Sequence, residues 1–275
     1  SLAVTKSAIP GLYVPASTSK YLSRLEHSKF IPFYQTRAAE FNTANKLSKA
    51  AQVKANKTAN KAREILRATK DVLDKVGMKF WLTDGTLLGW YRQCDFIAHT
   101  NDVDVGTWIT DFNPDLEKLL KRRGQPIRIL YHYGKPSDGF ELTVQGFDMK
   151  LDIQFNYKDA NHTWTGGLIS TSLQKVRWIY PLDIPLCSAE LFDDLYFVPC
   201  DTVAIIEANY GPTWMLPDKK WIWNKSAHNL VEAGKFSESD RKEVVQIFQT
   251  SKLNGHNNPS HISYGDLAVY HFCGQ

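Results

Sequence analysis

The hydrophobic rhythm of the chain changes near residue 77. From 36 to 76 no Pro or Gly interrupts a stretch rich in Ala, Lys, Asn and Glu, a composition that predicts helix. In its later half Ile65, Thr69, Val72, Leu73 and Val76 fall on one face at helical spacing, and Gly77 follows as a C-cap. The earlier half has a thinner stripe of Phe41, Ala44, Leu47 and Ala51. It reads as a stem: a solvated helix, or one that leans on a helper protein or on a second copy of the chain. Residues 1–35 carry Pro10, Pro15 and Pro32 and read as an extended lead-in.

Beyond 77 short apolar runs are punctuated by Gly, Asp and Asn, the pattern of strands. Strands are expected over 78–83, 103–109, 127–133, 140–145, 148–157 and 195–198. Helices are expected over 87–92, 114–123 and 201–210, the last capped by Asp201. Residues 158–180 read as a loop region, with Gly166 and Gly167 either a flexible cover for a site or an ordinary turn. The expected class is α+β: a mixed sheet with flanking helices over 77–275, preceded over 1–76 by the lead-in and helical stem.

Composition narrows the function classes. The chain of 275 residues is 43% hydrophobic and 12% aromatic, which excludes a disordered chain. Its net charge of +4 is not gathered into the dense basic stripe of a nucleic-acid binder, whereas a small anionic substrate is compatible. No run of 18 apolar residues is present. Asn56, Asn161 and Asn224 each begin an Asn-x-Ser/Thr triplet, which leans towards the secretory pathway. There Cys187 and Cys200 form either a disulfide or two buried thiols.

Candidate chemistry lies in the acidic residues. Alternation along a strand puts Asp102 and Asp104 on one face and Val103 and Val105 on the core face. Two carboxylates side by side repel unless a cation sits between them, and a hard divalent ion prefers oxygen ligands. Gly106 after them leaves room for a phosphate. The strongest alternation in the chain sets Phe147, Met149, Leu151, Ile153 and Phe155 against Asp148, Lys150, Asp152, Gln154 and Asn156. If this strand neighbours the first, Asp152 adds a third carboxylate. Upstream, Asp84, Gly85 and Thr86 read as a turn into a helix whose N–H groups and hydroxyl suit a phosphate. Arg92 offers a bidentate fork for a donor phosphate or serves structurally; Lys150 contacts phosphate or pairs with Asp152. Trp90 and Tyr91 pack in the core or stack on a base or sugar.

The ordered set Phe80-Trp81-Leu82-Thr83-Asp84-Gly85-Thr86-Leu87-Leu88-Gly89-Trp90-Tyr91-Arg92-Gln93-Cys94, Asp102-Val103-Asp104-Val105-Gly106, Val198-Pro199-Cys200 and Ile206-Glu207-Ala208-Asn209-Tyr210-Gly211-Pro212-Thr213-Trp214 resembles the fukutin and LicD-type phosphotransferase family. The resemblance includes Trp221-Ile222-Trp223 and covers roughly residues 78 to 230. It implies a nucleotidyltransferase-like fold and a transferase that takes a CDP-linked donor. CDP-ribitol would supply ribitol 5-phosphate to a glycan on an acceptor glycoprotein, and CDP-choline is the donor of the bacterial relatives. It implies Mg2+ or Mn2+ on Asp102, Asp104 and Asp152, with Asp152 or Asp84 as base. It also implies the Golgi lumen and a type II membrane protein whose anchor precedes Ser1. A rival class is a secreted glycan-binding module in which the acidic pair holds Ca2+ and no reaction occurs.

Overall fold

The computed structural model describes residues 4–9, 13–19, 22, 29–218 and 220–248. Two short strands, β1 (Val4–Lys6) and β2 (Tyr13–Pro15), pair antiparallel within the expected lead-in. The single helix expected over 36–76 is two helices, α1 (Gln35–Ala44) and α2 (Lys49–Lys75). Polar side chains make the break by bonding the backbone locally. Asn45 Nδ2 donates to Phe41 O at 3.0 Å, and Ser48 Oγ caps α2 by accepting from Ala51 N at 3.3 Å. At its far end Gly77, at φ +74°, closes α2, with Gly77 N donating to Asp74 O and Met78 N to Leu73 O.

The body then follows in chain order: β3 (Trp81–Leu82), α3 (Asp84–Gln93), β4 (Asp102–Trp108), α4 (Asp115–Leu120), β5 (Arg128–Lys135), β6 (Asp138–Gly146) and β7 (Met149–Lys158). After these come β8 (Thr163–Ile169), β9 (Gln174–Tyr180), β10 (Leu186–Leu191), β11 (Asp194–Pro199), α5 (Thr202–Tyr210), β12 (Leu230–Lys235), α6 (Arg241–Val244) and β13 (Val245–Ile247). One mixed sheet runs β10-β11-β3-β4-β7-β6-β5-β13. From β7 it branches through β8 to β9 and β12. The fold is α+β, as the pattern of strands and helices predicts.

Residues 158–180 correct the loop expectation. They form β8 and β9, an antiparallel pair in which Gly166 faces Arg177 and Gly167 faces Val176. The glycines serve close packing within strands and not a mobile cover. A Cβ on Gly166 would lie 2.4 Å from Gly139 Cα, and one on Gly167 would meet the Trp178 ring at 2.6 Å.

The core lies on one face of the sheet. Val103, Val105, Leu151 and Ile153 project there and join Ile65, Leu66, Val72 and Leu73 of α2 in one cluster. Each fully buried aliphatic side chain contributes roughly 1.5–3 kcal/mol, so the later half of α2 is fastened to the sheet. Its earlier half is not, and Val53 is 70% exposed. Arg67 of α2 pairs with Asp194 at the start of β11.

At one end of the sheet, Ser188 of β10 donates to Lys29 O at 2.9 Å and accepts from Ile31 N at 2.8 Å. The lead-in thus lies along that outer strand. Cys187 and Cys200 are joined in a disulfide that closes the β10–β11 hairpin.

Candidate active site

The parallel pairing of β4 and β7 builds the site. Their register sets Asp104 directly beside Asp152, and Asp102 beside Lys150. With the valines of β4 turned into the core, Asp102, Asp104 and Asp152 project from the opposite face into one pocket. All three carboxylates are buried, between 6 and 7% exposed. Asp84 of α3 and Glu141 of β6 line the same pocket.

Local bonds hold each acid. Thr143 of β6, opposite Asp152 in register, donates its hydroxyl to Asp152 Oδ1 at 2.5 Å. Thr100 Oγ1 donates to the backbone and side chain of Asp102, at 2.9 and 3.1 Å. Asp84 Oδ1 accepts from Asn209 Nδ2 at 2.7 Å and from the Tyr180 hydroxyl at 3.4 Å.

The segment 84–86 is the first turn of α3 and not a turn ahead of it. Asp84 opens the helix at φ +43°, a left-handed conformation that a non-glycine residue rarely adopts. Thr86 is buried, and its Oγ1 accepts from Asp104 N at 2.8 Å. This threonine therefore straps the helix to β4 behind the acidic pair. Gly85 sits against the pair, since a Cβ there would lie 3.4 Å from Asp104 Oδ2. The space expected beside Gly106 is filled by the Trp81 indole, which a Cβ would meet at 2.7 Å.

The electrostatics are those of crowded, buried acids, with Lys150 a partial counter-charge to Asp152 and Glu141. Burial first, then the Asp102 and Asp84 carboxylates, hold Asp104 well above the ordinary carboxylate range. Burial and then Asp152 do the same to Glu141. Asp152 is raised by burial, against the Thr143 hydrogen bond. Burial raises Asp84 to about 6, opposed by hydrogen bonds from Gln154, Tyr180 and Asn209.

Among the described residues no group of three or more His, Cys, Asp or Glu side chains is placed so that it could hold a metal ion as it stands. The donor set nevertheless fits a hard divalent ion. It is all oxygen, and a cation would relieve the repulsion that raises these acids.

The other residues singled out in the sequence lie elsewhere. Trp90 is buried in the core with its indole Nε1 donating to Glu190 O at 2.9 Å. Tyr91 packs between Trp214, at 5.6 Å, and the Arg37 guanidinium, at 3.7 Å. Arg92 is buried over the Phe41 ring, and burial lowers it to about 10. Lys150 shares the polar face of β7, and its charge favours the ionised forms of both Asp152 and Glu141.

Glu141, Gln154, Tyr180 and Asn209 escaped the sequence reading as site residues. A signal for Glu141 was present: Phe140, Leu142 and Val144 alternate with Glu141 and Thr143, as the polar and apolar positions of β7 do.

These features make one acidic, all-oxygen site, with acids on adjacent strands and a helix start beside them. Residues 77–201 match the LicD/FKTN/FKRP nucleotidyltransferase domain. Ribitol-5-phosphate transferase FKTN of Mus musculus is 37% identical over 238 residues, which are 86% of this chain and 50% of that protein. The Homo sapiens protein of the same name is 35% identical over 236 residues, again 86% and 50%. An uncharacterized protein of Caenorhabditis elegans is 30% identical over 251 residues, 88% of this chain and 62% of the relative. The chain spans about half the length of the FKTN proteins it matches.

Proposed function

We propose that the chain is the catalytic part of a metal-dependent transferase. It moves ribitol 5-phosphate from CDP-ribitol onto a glycan hydroxyl and releases CMP. The observation that carries this reading is the in-register pairing of β4 and β7, which puts Asp102, Asp104 and Asp152 in one pocket with Asp84. Similarity to proteins named ribitol-5-phosphate transferase supports the donor.

Asp102, Asp104 and Asp152 would hold Mg2+ or Mn2+. The bound ion would neutralise charge on the donor diphosphate. Asp84 serves as the base: Asn209 and Tyr180 fix its carboxylate, and a value of about 6 leaves it mostly ionised at neutral pH and able to accept a proton. The acceptor hydroxyl gives its proton to Asp84 as its oxygen bonds to the distal phosphorus. The bond from that phosphorus to the CMP oxygen breaks, and CMP departs as the anion.

Three accessible Asn-x-Ser/Thr sites and a disulfide support a lumenal compartment such as the Golgi. Among the described residues no helix is long and apolar enough to cross a membrane. The test is CMP release from CDP-ribitol, CDP-glycerol and CDP-choline with a glycan acceptor. Turnover of CDP-ribitol, lost in EDTA and restored by Mg2+ or Mn2+, is the expected result. Turnover of CDP-choline alone would reassign the donor. Glycan binding that needs Ca2+, with no CMP from any donor, would make the chain a lectin-like module instead.

A further inference from the structure

A second cavity, of about 550 Å³, opens beside the acidic pocket and shares Tyr210 and Trp221 with it as a common wall. Gly85 stands at the partition, lining this cavity while lying against Asp104. Small-molecule sites occupy about 300–1,000 Å³. The two spaces differ in charge. The acidic pocket is lined by five carboxyl side chains and by no Lys, Arg or His. The second is lined by Arg92, Lys46, His99 and His228 against one carboxylate, Asp218.

Arg92 is the group that the proposed chemistry does not use. It is 4% exposed, and among the described residues it forms no ion pair. Nη1 donates to Trp214 O at 3.1 Å and Nη2 to Gln93 Oε1 at 3.2 Å, both neutral acceptors, and Nε has no partner. A guanidinium has five N–H donors, so much of its capacity is unfilled. The Phe41 ring 4.5 Å away offsets part of the cost of burying the charge, but only an anion would match the fork. Trp214 and Trp221 add flat walls at the same cavity.

We propose that this cavity binds a phosphate ester, with the phosphate on Arg92 and the ring it carries against Trp214 and Trp221. The proposal deepens the phosphotransferase reading and rests on it. The ester is either a nucleotide or a phosphorylated sugar, which share this chemistry. Phe41 and Lys46, at the junction of α1 and α2, and the two tryptophans all lie outside residues 77–201. Recognition here therefore joins Arg92 of the matched domain to parts of the chain that flank it.

The test is titration calorimetry on the whole chain in EDTA with CMP, cytidine, glucose 6-phosphate and glucose. Chelation leaves the acidic pocket repelling phosphate, so uptake reports on the second cavity. At least one ester is expected to bind tenfold or more tightly than its dephosphorylated partner. A preference for CMP assigns the cavity to the nucleotide, and one for glucose 6-phosphate assigns it to a phosphosugar. Arg92→Lys loses the fork and weakens the preferred ester about tenfold. Lys46→Ala, at an exposed position, weakens it severalfold and serves as the check if the buried substitution unfolds the chain. Equal binding of each ester and its dephosphorylated partner would overturn the proposal, as would affinities unchanged in the folded variants. EDTA-resistant ester binding without CMP release from any donor would refute the transferase reading and leave the cavity assignment. CMP release without such binding would do the reverse.

Discussion

At the scale of single residues, the acidic pocket is a set of charges held where solvation is poor. Burial, then the carboxylates of Asp102, Asp84 and Asp152, hold Asp104 well above the ordinary carboxylate range. Asp104→Asn is expected to cut CMP release by about 10²- to 10⁴-fold. In EDTA its melting temperature should equal or exceed that of the parent chain, because a repelled charge is removed. A variant that loses activity by melting early would contradict this. Gly106→Ala tests a position on the same face of β4 as the acids, two residues beyond Asp104. Its methyl group would meet the Trp81 indole at 2.7 Å, which should destabilise the chain by about 1–3 kcal/mol in urea unfolding. The sequence made the acid pair legible but not this glycine. Alternation fixes which face a side chain takes, whereas the ring that fills the space comes from another strand.

At the scale of elements, α2 is a helix of two characters. Leu73 is fully buried, and Leu73→Ala should cost about 2–5 kcal/mol in urea unfolding. Val53→Ala, at an exposed site, should stay within about 0.5 kcal/mol. The joint between β6 and β9 responds to acid. Asp138 accepts from Lys175 at 2.6 Å and from Arg177 at 2.9 Å. Burial pushes the Asp138 carboxyl up, but these bonds outweigh it and hold the group below its ordinary value. A depressed carboxylate adds stability above its unfolded value, about 3.9, and loses it as pH falls through the folded value. The gap in melting temperature between the parent and Asp138→Asn should therefore be full near neutrality and shrink below about pH 4.

Elements were readable wherever the period was local. Both polar-faced strands of the site emerged from alternation alone. Their adjacency did not, because register between residues so distant in sequence depends on the whole sheet. Glu141 was missed for the same reason, although its strand was expected. Gly166 and Gly167 misled because glycine marks loops and close strand packing alike, and only tertiary contact with Gly139 and Trp178 separates the two. The start of α3 was placed late because Asp84 enters it through an unusual backbone angle held by tertiary hydrogen bonds.

At the scale of the molecule, the disulfide ties one end of the sheet into a closed hairpin. Cross-linking residues separated by 13 positions limits the unfolded chain and should contribute roughly 3 kcal/mol. Cys187→Ser with Cys200→Ser is expected to lower the urea midpoint accordingly, and reduction of the parent chain should reproduce the shift. The contact of Lys29 and Ile31 with Ser188 has a different consequence at the same end. An outer strand with open N–H and C=O groups is a template for pairing with another chain. Lys29 and Ile31 occupy that template at Ser188 of β10, and at the opposite end β13 is only three residues long. At both ends of the main run of the sheet the open edge is thus shortened, which limits the purchase for edge-to-edge pairing.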